Sequence, residues 1–237
     1  MPAYPILQTK ITPPSLTART LARTRVETLL REALNHRLTI LQAGAGYGKS
    51  TALATLAANQ RPLIWYQVAR EDNDLIVFLL HLCHATRGLP GVQGLPIPML
   101  ESWDATRDPF PLRAVIYEYL NAISGQSTPT LLVIDDVHLV IENTEIAHVL
   151  DQIISLAPPG FHILLSSRLF ITLPNLSRWR MRGEVLTLDQ SSLAFTQEEI
   201  AALFEQHYHY ELTEEEAGIL YTATEGLSLI HICGSPF

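Results

Sequence analysis

The residues with the clearest chemical meaning lie in one short segment, 43–50, which reads Ala-Gly-Ala-Gly-Tyr-Gly-Lys-Ser. The segment follows a β-rich run, Leu38–Gln42, and precedes a stretch at 51–59 with helical character. A strand, a glycine-rich turn, Gly-Lys-Ser and a helix form the arrangement that wraps the phosphates of a nucleotide. The glycines let the backbone curl so that its N–H groups point at the anion. The segment therefore predicts a phosphate-binding loop.

Residues of this loop are assigned by their chemistry. Lys49 can reach the β- and γ-phosphate oxygens, and Ser50 can ligate Mg²⁺. The pattern usually opens with Gly, whereas this chain has Ala43, which fits if its φ is negative. The residues predicted to contact the nucleotide are Gly44, Ala45, Gly46, Tyr47, Gly48, Lys49, Ser50 and Thr51.

A second element is the apolar run Leu131–Ile134, which predicts a strand buried on both faces and ends in Asp135 and Asp136. Carboxylates at the C-terminal tip of such a strand lie where ligands bind in open α/β sheets. Asp135 would hold Mg²⁺, directly or through water, and Asp136 could orient or deprotonate an attacking water. An ordinary acidic turn is the alternative, which the phosphate-binding loop upstream disfavours.

A third element lies within 161–168, a predicted buried strand that ends in Ser166, Ser167 and Arg168. Arg168 would lie at the same sheet edge as Asp135, where its guanidinium could sense the γ-phosphate through charge-assisted hydrogen bonds. A surface arginine in a loop is the alternative, and the other two elements favour the sensor. Lys49, Asp136 and Arg168 are therefore the predicted catalytic residues.

Bulk composition limits the class of protein. The chain has 237 residues, 47% hydrophobic and 17% charged, which is ample for one α/β core with a small appendage. Its net charge is −8 and it has no long Lys/Arg run, so it lacks the electrostatic footprint of a duplex DNA binder. Cys83 and Cys233 make no disulfide framework, and we find no signal peptide or membrane span. These features predict a soluble cytoplasmic protein.

The order of predicted elements indicates the architecture. Strands and helices alternate to about residue 190, and only helices follow, which predicts a three-layer αβα domain with a mainly parallel sheet and then the start of a helical domain. The predicted divisions are an N-terminal extension and helix, a nucleotide-binding domain, a partial helical domain and an atypical tail, at 1–36, 37–190, 191–226 and 227–237.

Several other residues carry weaker expectations. Residues 88–98 hold three glycines and three prolines and are expected to form a loop. Arg23 and Arg25 could approach the nucleotide base. Three arginines at 178, 180 and 182 alternate along a stretch expected to be extended, where a solvated edge is favoured over phosphate or subunit contacts. A metal site at His207 and His209 is disfavoured, since no partner ligands are visible.

With these residues in hand, the chain resembles the ATP-binding module of the large MalT-like regulators of the LuxR family, which belong to the STAND class of signalling P-loop ATPases. The resemblance covers about residues 5–226. Walker-type motifs are shared by many ATPases, and their combination with segments 166–168 and 193–199 is more specific. The segments that carry the resemblance are 12–14, 45–50, Trp65, 72–74 with Phe78, 134–138, 166–168 and 193–199.

This resemblance implies a regulatory ATPase. Family members continue with winged-helix, superhelical sensor and helix-turn-helix parts, and ATP with an inducer switches them to a transcription-activating oligomer that hydrolysis resets. Carried over by position, Lys49, Ser50, Asp135, Asp136 and Arg168 take the roles assigned above. Residues 227–237 depart from the family pattern and are expected to be a non-native end, so inducer and DNA contacts are expected only through regions outside this chain.

The predicted function is thus an ATP-binding, slowly ATP-hydrolysing signalling switch of a bacterial transcriptional regulator, with ATP and Mg²⁺ as ligands, self-association on activation and no membrane partner. Two alternatives stay open. One is an AAA-like or helicase-like motor, which needs an arginine finger for a neighbour and usually a hexamer. The other is a protein-interaction module that holds nucleotide without turnover, against which the Asp135 and Asp136 pair argues.

Overall fold

The computed structural model describes residues 5–16, 20–60, 62–103 and 110–224. Five strands form one sheet in the order β2-β3-β4-β1-β5, and every pairing is parallel. Because parallel strands share one direction, their carboxyl ends meet at a single edge of the sheet. The strands are β1 Leu38–Gln42, β2 Leu63–Gln67, β3 Thr130–Asp135, β4 Phe161–Ser167 and β5 Val185–Leu188.

Helices connect and cover these strands. None within the described ranges is both long enough and apolar enough to cross a bilayer. The α-helices are α1 Thr24–Arg31, α2 Lys49–Asn59, α3 Leu75–Thr86, α4 Ile97–Ser102, α5 Leu112–Ile123, α6 Thr144–Leu156, α7 Leu176–Met181, α8 Gln190–Leu193, α9 Gln197–Tyr208 and α10 Glu214–Thr224. Short 3₁₀ turns occupy Gln8–Lys10, Glu32–Asn35, Arg70–Asn73 and Val137–Leu139.

Both faces of the sheet are covered by helices, because successive strand residues point to opposite sides. On one face Leu41, Val133 and Leu164 join a buried cluster that includes residues of α1 and α2. On the other face Ile40 and Leu165 join a larger cluster with residues of α3, α5 and α6. The expected three-layer α/β fold with a parallel sheet is confirmed.

One local expectation is confirmed over most of its length, and another is wrong. The loop expected at 88–98 extends to Pro96 and ends where α4 begins at Ile97, and Pro98 is tolerated there because the first turn of a helix needs no N–H donor. The arginines near residue 180 lie on or beside helix α7 rather than on an extended stretch. Leu176 and Trp179 are buried at helical spacing, which places the arginines on the solvent side, where they are exposed.

The C-terminal part of the described chain is helical, as expected. The Thr196 backbone N–H donates to Glu199 Oε2 at 3.1 Å, and the Glu199 backbone N–H donates to Thr196 Oγ1 at 3.2 Å. These two hydrogen bonds form a capping box at the start of α9. Phe195, Ile200 and Leu203 form a small buried cluster of their own. A domain boundary near residue 190 stays a prediction, and the tail at 227–237 lies outside the described residues.

A buried ion pair ties the N-terminal segment to the sheet side of α3. The Lys10 ammonium donates to both carboxylate oxygens of Asp72 at 2.8 and 2.9 Å, and both residues are buried. Asp72 also accepts from the backbone N–H of Ala69 at 2.7 Å. Burial lowers the pKa of Lys10, but the hydrogen bonds with Asp72 and Glu71 outweigh it and leave the pKa above its ordinary value. Lys10 therefore stays protonated across neutral pH.

Replacing Lys10 by Met should destabilise the fold by about 3–5 kcal/mol, because it leaves the Asp72 carboxylate buried without its cation. Since the Lys10 pKa is raised in the folded state, this contribution should be constant below its unfolded pKa and should fall only as pH rises through the folded value. Urea unfolding at pH 7 measures the effect. Glu71→Gln is the matched control, since its exposed carboxylate also touches Lys10, and it should change stability far less because solvent screens an exposed ion pair. A Lys10→Met variant as stable as the control would contradict this assignment.

Candidate nucleotide-binding site

The predicted phosphate loop connects β1 to the N-terminus of α2. Gly46 and Gly48 have φ values of 87° and 73°, a region that residues with a Cβ rarely enter. In the described chain only Asp136 and His209 are non-glycine residues with positive φ. The φ of Ala43 is therefore negative, as an alanine at the first position of the loop requires. The curl of the loop therefore depends on two of its glycines.

The first turn of α2 offers backbone donors to an anion. Its N-cap is Gly48, which makes no side-chain capping bond, whereas the N-caps of α3, α6 and α9 accept such bonds through Asp74, Asn143 and Thr196. Ser50 and Thr51 are exposed on this turn. Uncapped N–H groups at the positive end of a helix dipole suit a phosphate.

Lys49 lies inside the loop rather than in solvent. Its side-chain nitrogen donates to the carbonyl oxygens of Ala43 at 2.5 Å and Gly44 at 2.7 Å, and the residue is 7% exposed. Burial and the positive charge of Arg168 lower the pKa of Lys49, while Asp136 and Asp135 oppose them. Lys49 therefore interacts electrostatically with Asp135, Asp136 and Arg168, the residues predicted from the tips of β3 and β4.

Tyr47 fixes the loop to the chain that follows β5. Its side chain is buried, and its hydroxyl accepts a hydrogen bond from Gln190 Nε2 at 2.6 Å. Tyr47 therefore anchors the loop instead of presenting a side chain to a nucleotide, although its backbone stays in the loop. The sequence gives no direct sign of this contact, because it joins positions far apart in the chain.

Strand register brings the β3 tip beside β4, which pairs with β1 on its other side. Ile134 pairs with Leu165, and the next residue on β4, Ser166, pairs with Leu41 at the end of β1. Asp135 therefore stands one strand away from Ser166, close to the start of the phosphate loop.

Asp135 is a buried carboxylate with spare bonding capacity. It is 1% exposed, and its Oδ1 accepts the backbone N–H of Asp136 at 2.9 Å. Its Oδ2 and the Ser166 hydroxyl are buried and make no hydrogen bond of good geometry among the described residues, although the two groups are close enough for Ser166 to stabilise the carboxylate. Burial raises the pKa of Asp135 above its ordinary value. An orphaned anionic oxygen at this position fits a divalent cation, which would supply the missing partner.

Asp135→Asn should stabilise the ligand-free chain by about 1 kcal/mol, because it removes a buried charge. With its pKa raised by folding, the ionised carboxylate costs stability above that pKa, and the cost disappears as pH falls through it. The stability advantage of the variant should thus shrink on acidification. Urea unfolding at several pH values measures this, and a variant less stable than wild type at pH 7 would count against an orphaned charge.

Asp136 and Arg168 meet at the same edge. Asp136 adopts a left-handed conformation with φ 56°, and its Oδ1 lies 3.6 Å from Arg168 Nε. The same oxygen lies 3.7 Å from Nδ1 of His138, a residue that sequence reasoning quoted only within a family segment. Arg168 is half-exposed, so its guanidinium can turn toward a ligand. The three predicted strand-tip elements therefore converge in one site.

Arg23, the N-cap of α1, and Arg25, within α1, both bind residues near the start of α9. Arg23 donates to the backbone carbonyls of Leu193 and Ala194 at 2.8 and 2.9 Å and to the Glu199 carboxylate at 2.7 Å. Arg25 donates to the carbonyl of Ala194 at 2.7 Å. Both side chains thus connect α1 to the start of α9. Arg23 Nη1 also lies 4.0 Å from the position that a Cβ on Gly48 would occupy, so this guanidinium borders the phosphate loop, and contact with a nucleotide stays a prediction.

Metal binding by histidines is also unsupported. Across the ranges the structure describes, no group of three His, Cys, Asp or Glu side chains is placed to hold a metal ion. A Mg²⁺ ion needs fewer protein ligands, because it keeps waters and binds substrate phosphates. Ser50 and Asp135 are compatible with that mode.

Comparisons with known proteins find relatives in sequence over most of the chain. No protein-family model matches the chain. The HTH-type transcriptional regulator MalT of Yersinia pestis (strain Pestoides F) is 30% identical over 223 residues, which are 93% of this chain and 24% of the relative. MalT of Yersinia enterocolitica is 29% identical with the same coverage. The chain thus spans about a quarter of the length of these relatives, and its resemblance to MalT-like proteins is confirmed over that quarter.

The fold has a relative among solved structures. A Walker-type ATPase of Pyrococcus abyssi superposes with a TM-score of 0.54 and 14% identity, covering 91% of this chain and 67% of that one. At this identity the likeness concerns the fold alone, and it agrees with the parallel sheet and the loop between β1 and α2.

Proposed function

Because this chain is MalT-like in sequence and has the fold of a P-loop ATPase, we propose that it is the ATP-binding switch module of a transcriptional regulator and that it hydrolyses ATP slowly. The observation that carries the proposal is the meeting of Lys49, Asp135, Asp136 and Arg168 at one sheet edge. Each of these groups has a separate task in phosphoryl transfer.

Binding begins at the loop. The triphosphate competes with the carbonyls of Ala43 and Gly44 for the Lys49 ammonium and accepts N–H groups from the first turn of α2. Ser50 and Asp135 would hold Mg²⁺, which would neutralise charge on the phosphate oxygens. The buried Asp135 carboxylate suits this cation, since its Oδ2 makes no hydrogen bond of good geometry among the described residues.

Hydrolysis uses Asp136 and Arg168. Asp136 accepts a proton from water as the water oxygen bonds to the γ-phosphorus and the bond to the β–γ bridging oxygen breaks, with ADP keeping the electron pair. Arg168 stabilises negative charge on the γ-phosphoryl group. Arg168 Nε lies 3.6 Å from Asp136 Oδ1, so a γ-phosphate that draws Arg168 away also frees the base. This exchange makes the site sensitive to the presence of the γ-phosphate, as a switch requires.

The remaining functions belong to the rest of the regulator. We place inducer and DNA recognition in parts that correspond to the other three quarters of the relatives, and self-association follows ATP binding. A cytoplasmic location agrees with Cys83, a buried free thiol. The slow rate of ATP hydrolysis at this site then sets how long the assembled protein stays in its active state.

Phosphate release from Mg²⁺-ATP under single-turnover conditions tests the proposal. We expect slow, Mg²⁺-dependent conversion of bound ATP to ADP, and a sizing column run with ATP should show no ring of fixed number. Recovery of unchanged ATP from the bound state favours a module that only holds nucleotide. A hexamer with fast turnover favours a motor.

A further inference from the structure

His138 lies beside the proposed base and has no role in the mechanism above. Its ring Nδ1 is 3.7 Å from Asp136 Oδ1, and its side chain is 12% exposed. This nitrogen is buried without a hydrogen-bond partner among the described residues. Asp136 Oδ1 thus has two nitrogen neighbours, the other being Arg168 Nε at 3.6 Å, and each is slightly too far away for a hydrogen bond.

The local backbone explains why the ring faces the carboxylate. Asp136 turns the chain in its left-handed conformation, and the 3₁₀ turn Val137–Leu139 follows at once. The turn is fixed by a hydrogen bond from the N–H of Leu139 to the carbonyl of Asp136 at 3.0 Å and by the fully buried Val137. His138 is therefore held next to Asp136 by backbone and core.

The protonation state of the ring follows from its surroundings. Burial lowers the pKa of His138, Arg168 and Lys49 lower it further, and Asp136 opposes them. These are the charged groups that face the ring, and together they favour a neutral imidazole at pH 7. A neutral ring with an Nδ1 lone pair toward a carboxylate oxygen would be repelled, so the proton belongs on Nδ1.

We propose that His138 is a positioning residue, whose neutral imidazole donates a hydrogen bond from Nδ1–H to Asp136 Oδ1 when Arg168 turns to the γ-phosphate. The inference rests on the proposed function, because it takes Asp136 as the base. The donor replaces the partner that Asp136 loses and leaves the second carboxylate oxygen for water. A neutral donor fixes the carboxylate and preserves its basicity better than a cation does.

Variants of His138 test this role. His138→Ala should slow single-turnover phosphate release by about 10–100-fold, the usual cost of losing an orienting partner, with ATP affinity within about twofold of wild type. His138→Asn should recover most of the rate, because its amide can donate from nearly the position of Nδ1. His148→Ala, an exposed histidine on α6, is the control and should match wild type. An Ala variant at wild-type rate, or an Asn variant as slow as Ala, overturns the proposal.

A second readout does not depend on turnover. Long-range ¹⁵N–¹H NMR spectra of the wild-type chain at pH 7 report which ring nitrogen of His138 carries the proton. We expect a neutral ring protonated on Nδ1, and a proton on Nε2 overturns the proposal even if the chain hydrolyses ATP. A wild-type chain that binds ATP without hydrolysing it contradicts the proposed function, and the NMR result then still decides the His138 contact.

Discussion

Lys49→Ala is expected to weaken ATP binding by about 10–150-fold, the equivalent of about 1.5–3 kcal/mol for hydrogen bonds to a charged group. The chain has two lysines, and Lys49 is the one inside the phosphate loop. The loss should be largest for ATP and smaller for ADP, because the ammonium is assigned to the β- and γ-phosphates. Isothermal titration with each nucleotide measures both effects.

The fold should tolerate this change. The Lys49 ammonium bonds only to loop carbonyls, Ala43 and Gly44, in the hydrogen bonds that involve it. Unfolding should therefore differ little between the variant and wild type, which separates lost binding from lost structure. Arg178→Ala, which removes an exposed cation on α7, is the control and should bind ATP as wild type does. Unchanged ATP affinity in Lys49→Ala would falsify the assignment of the loop.

Asp136→Ala should retain Mg²⁺-ATP binding and lose about 10²–10⁴-fold in the rate of phosphate release, the usual contribution of a positioned general base. Binding is retained because the loop and Asp135 supply the phosphate and cation contacts. Affinity can even rise, since Arg168 no longer has Asp136 as a competing partner. A radiolabelled single-turnover assay measures the rate at saturating enzyme.

Two further variants complete the Asp136 experiment. Asp136→Asn keeps the shape of the side chain and should be nearly as slow as Ala, because an amide cannot accept the proton from water. Glu145→Gln, on the exposed first turn of α6, removes a carboxylate that has no role in the proposal and should leave the rate unchanged. Normal turnover in Asp136→Asn would move the base to another residue.

Local sequence patterns were sufficient for the elements that build the site. The four-residue apolar run before Asp135 predicts a doubly buried strand, and β3 is buried along its whole length. The glycine pattern predicts the loop, because Gly46 and Gly48 adopt backbone conformations that few other residues enter. Parallel pairing then follows from the alternation of strands and helices, and it gathers the strand tips at one edge.

Side-chain pairings between distant positions were not predictable in this way. Lys10 meets Asp72 across 62 positions, Tyr47 meets Gln190 across 143, and Arg23 meets Glu199 across 176. No periodicity or motif links such residues, since their contact is decided by how whole layers pack. The same reason explains why the ion pair of Arg23 with Glu199, which connects two helices, was not predicted.

Short helices were the other feature of the fold that the sequence analysis did not predict. α7 contains only two buried residues, Leu176 and Trp179, which is too brief a pattern to separate a helix from an extended segment. α4 begins beside prolines that normally indicate a loop. In both segments packing against the larger apolar cluster outweighs local preference.

The central claim is that the phosphate loop and the β3 carboxylates act on one triphosphate. A crystal structure of the chain with Mg²⁺ and a non-hydrolysable ATP analogue tests it most directly. The account predicts the triphosphate in the loop, contacted by Lys49, with the metal between Ser50 and Asp135 and Arg168 turned from Asp136 to the γ-phosphate. A nucleotide bound elsewhere, or one whose metal lies away from Asp135, would contradict it.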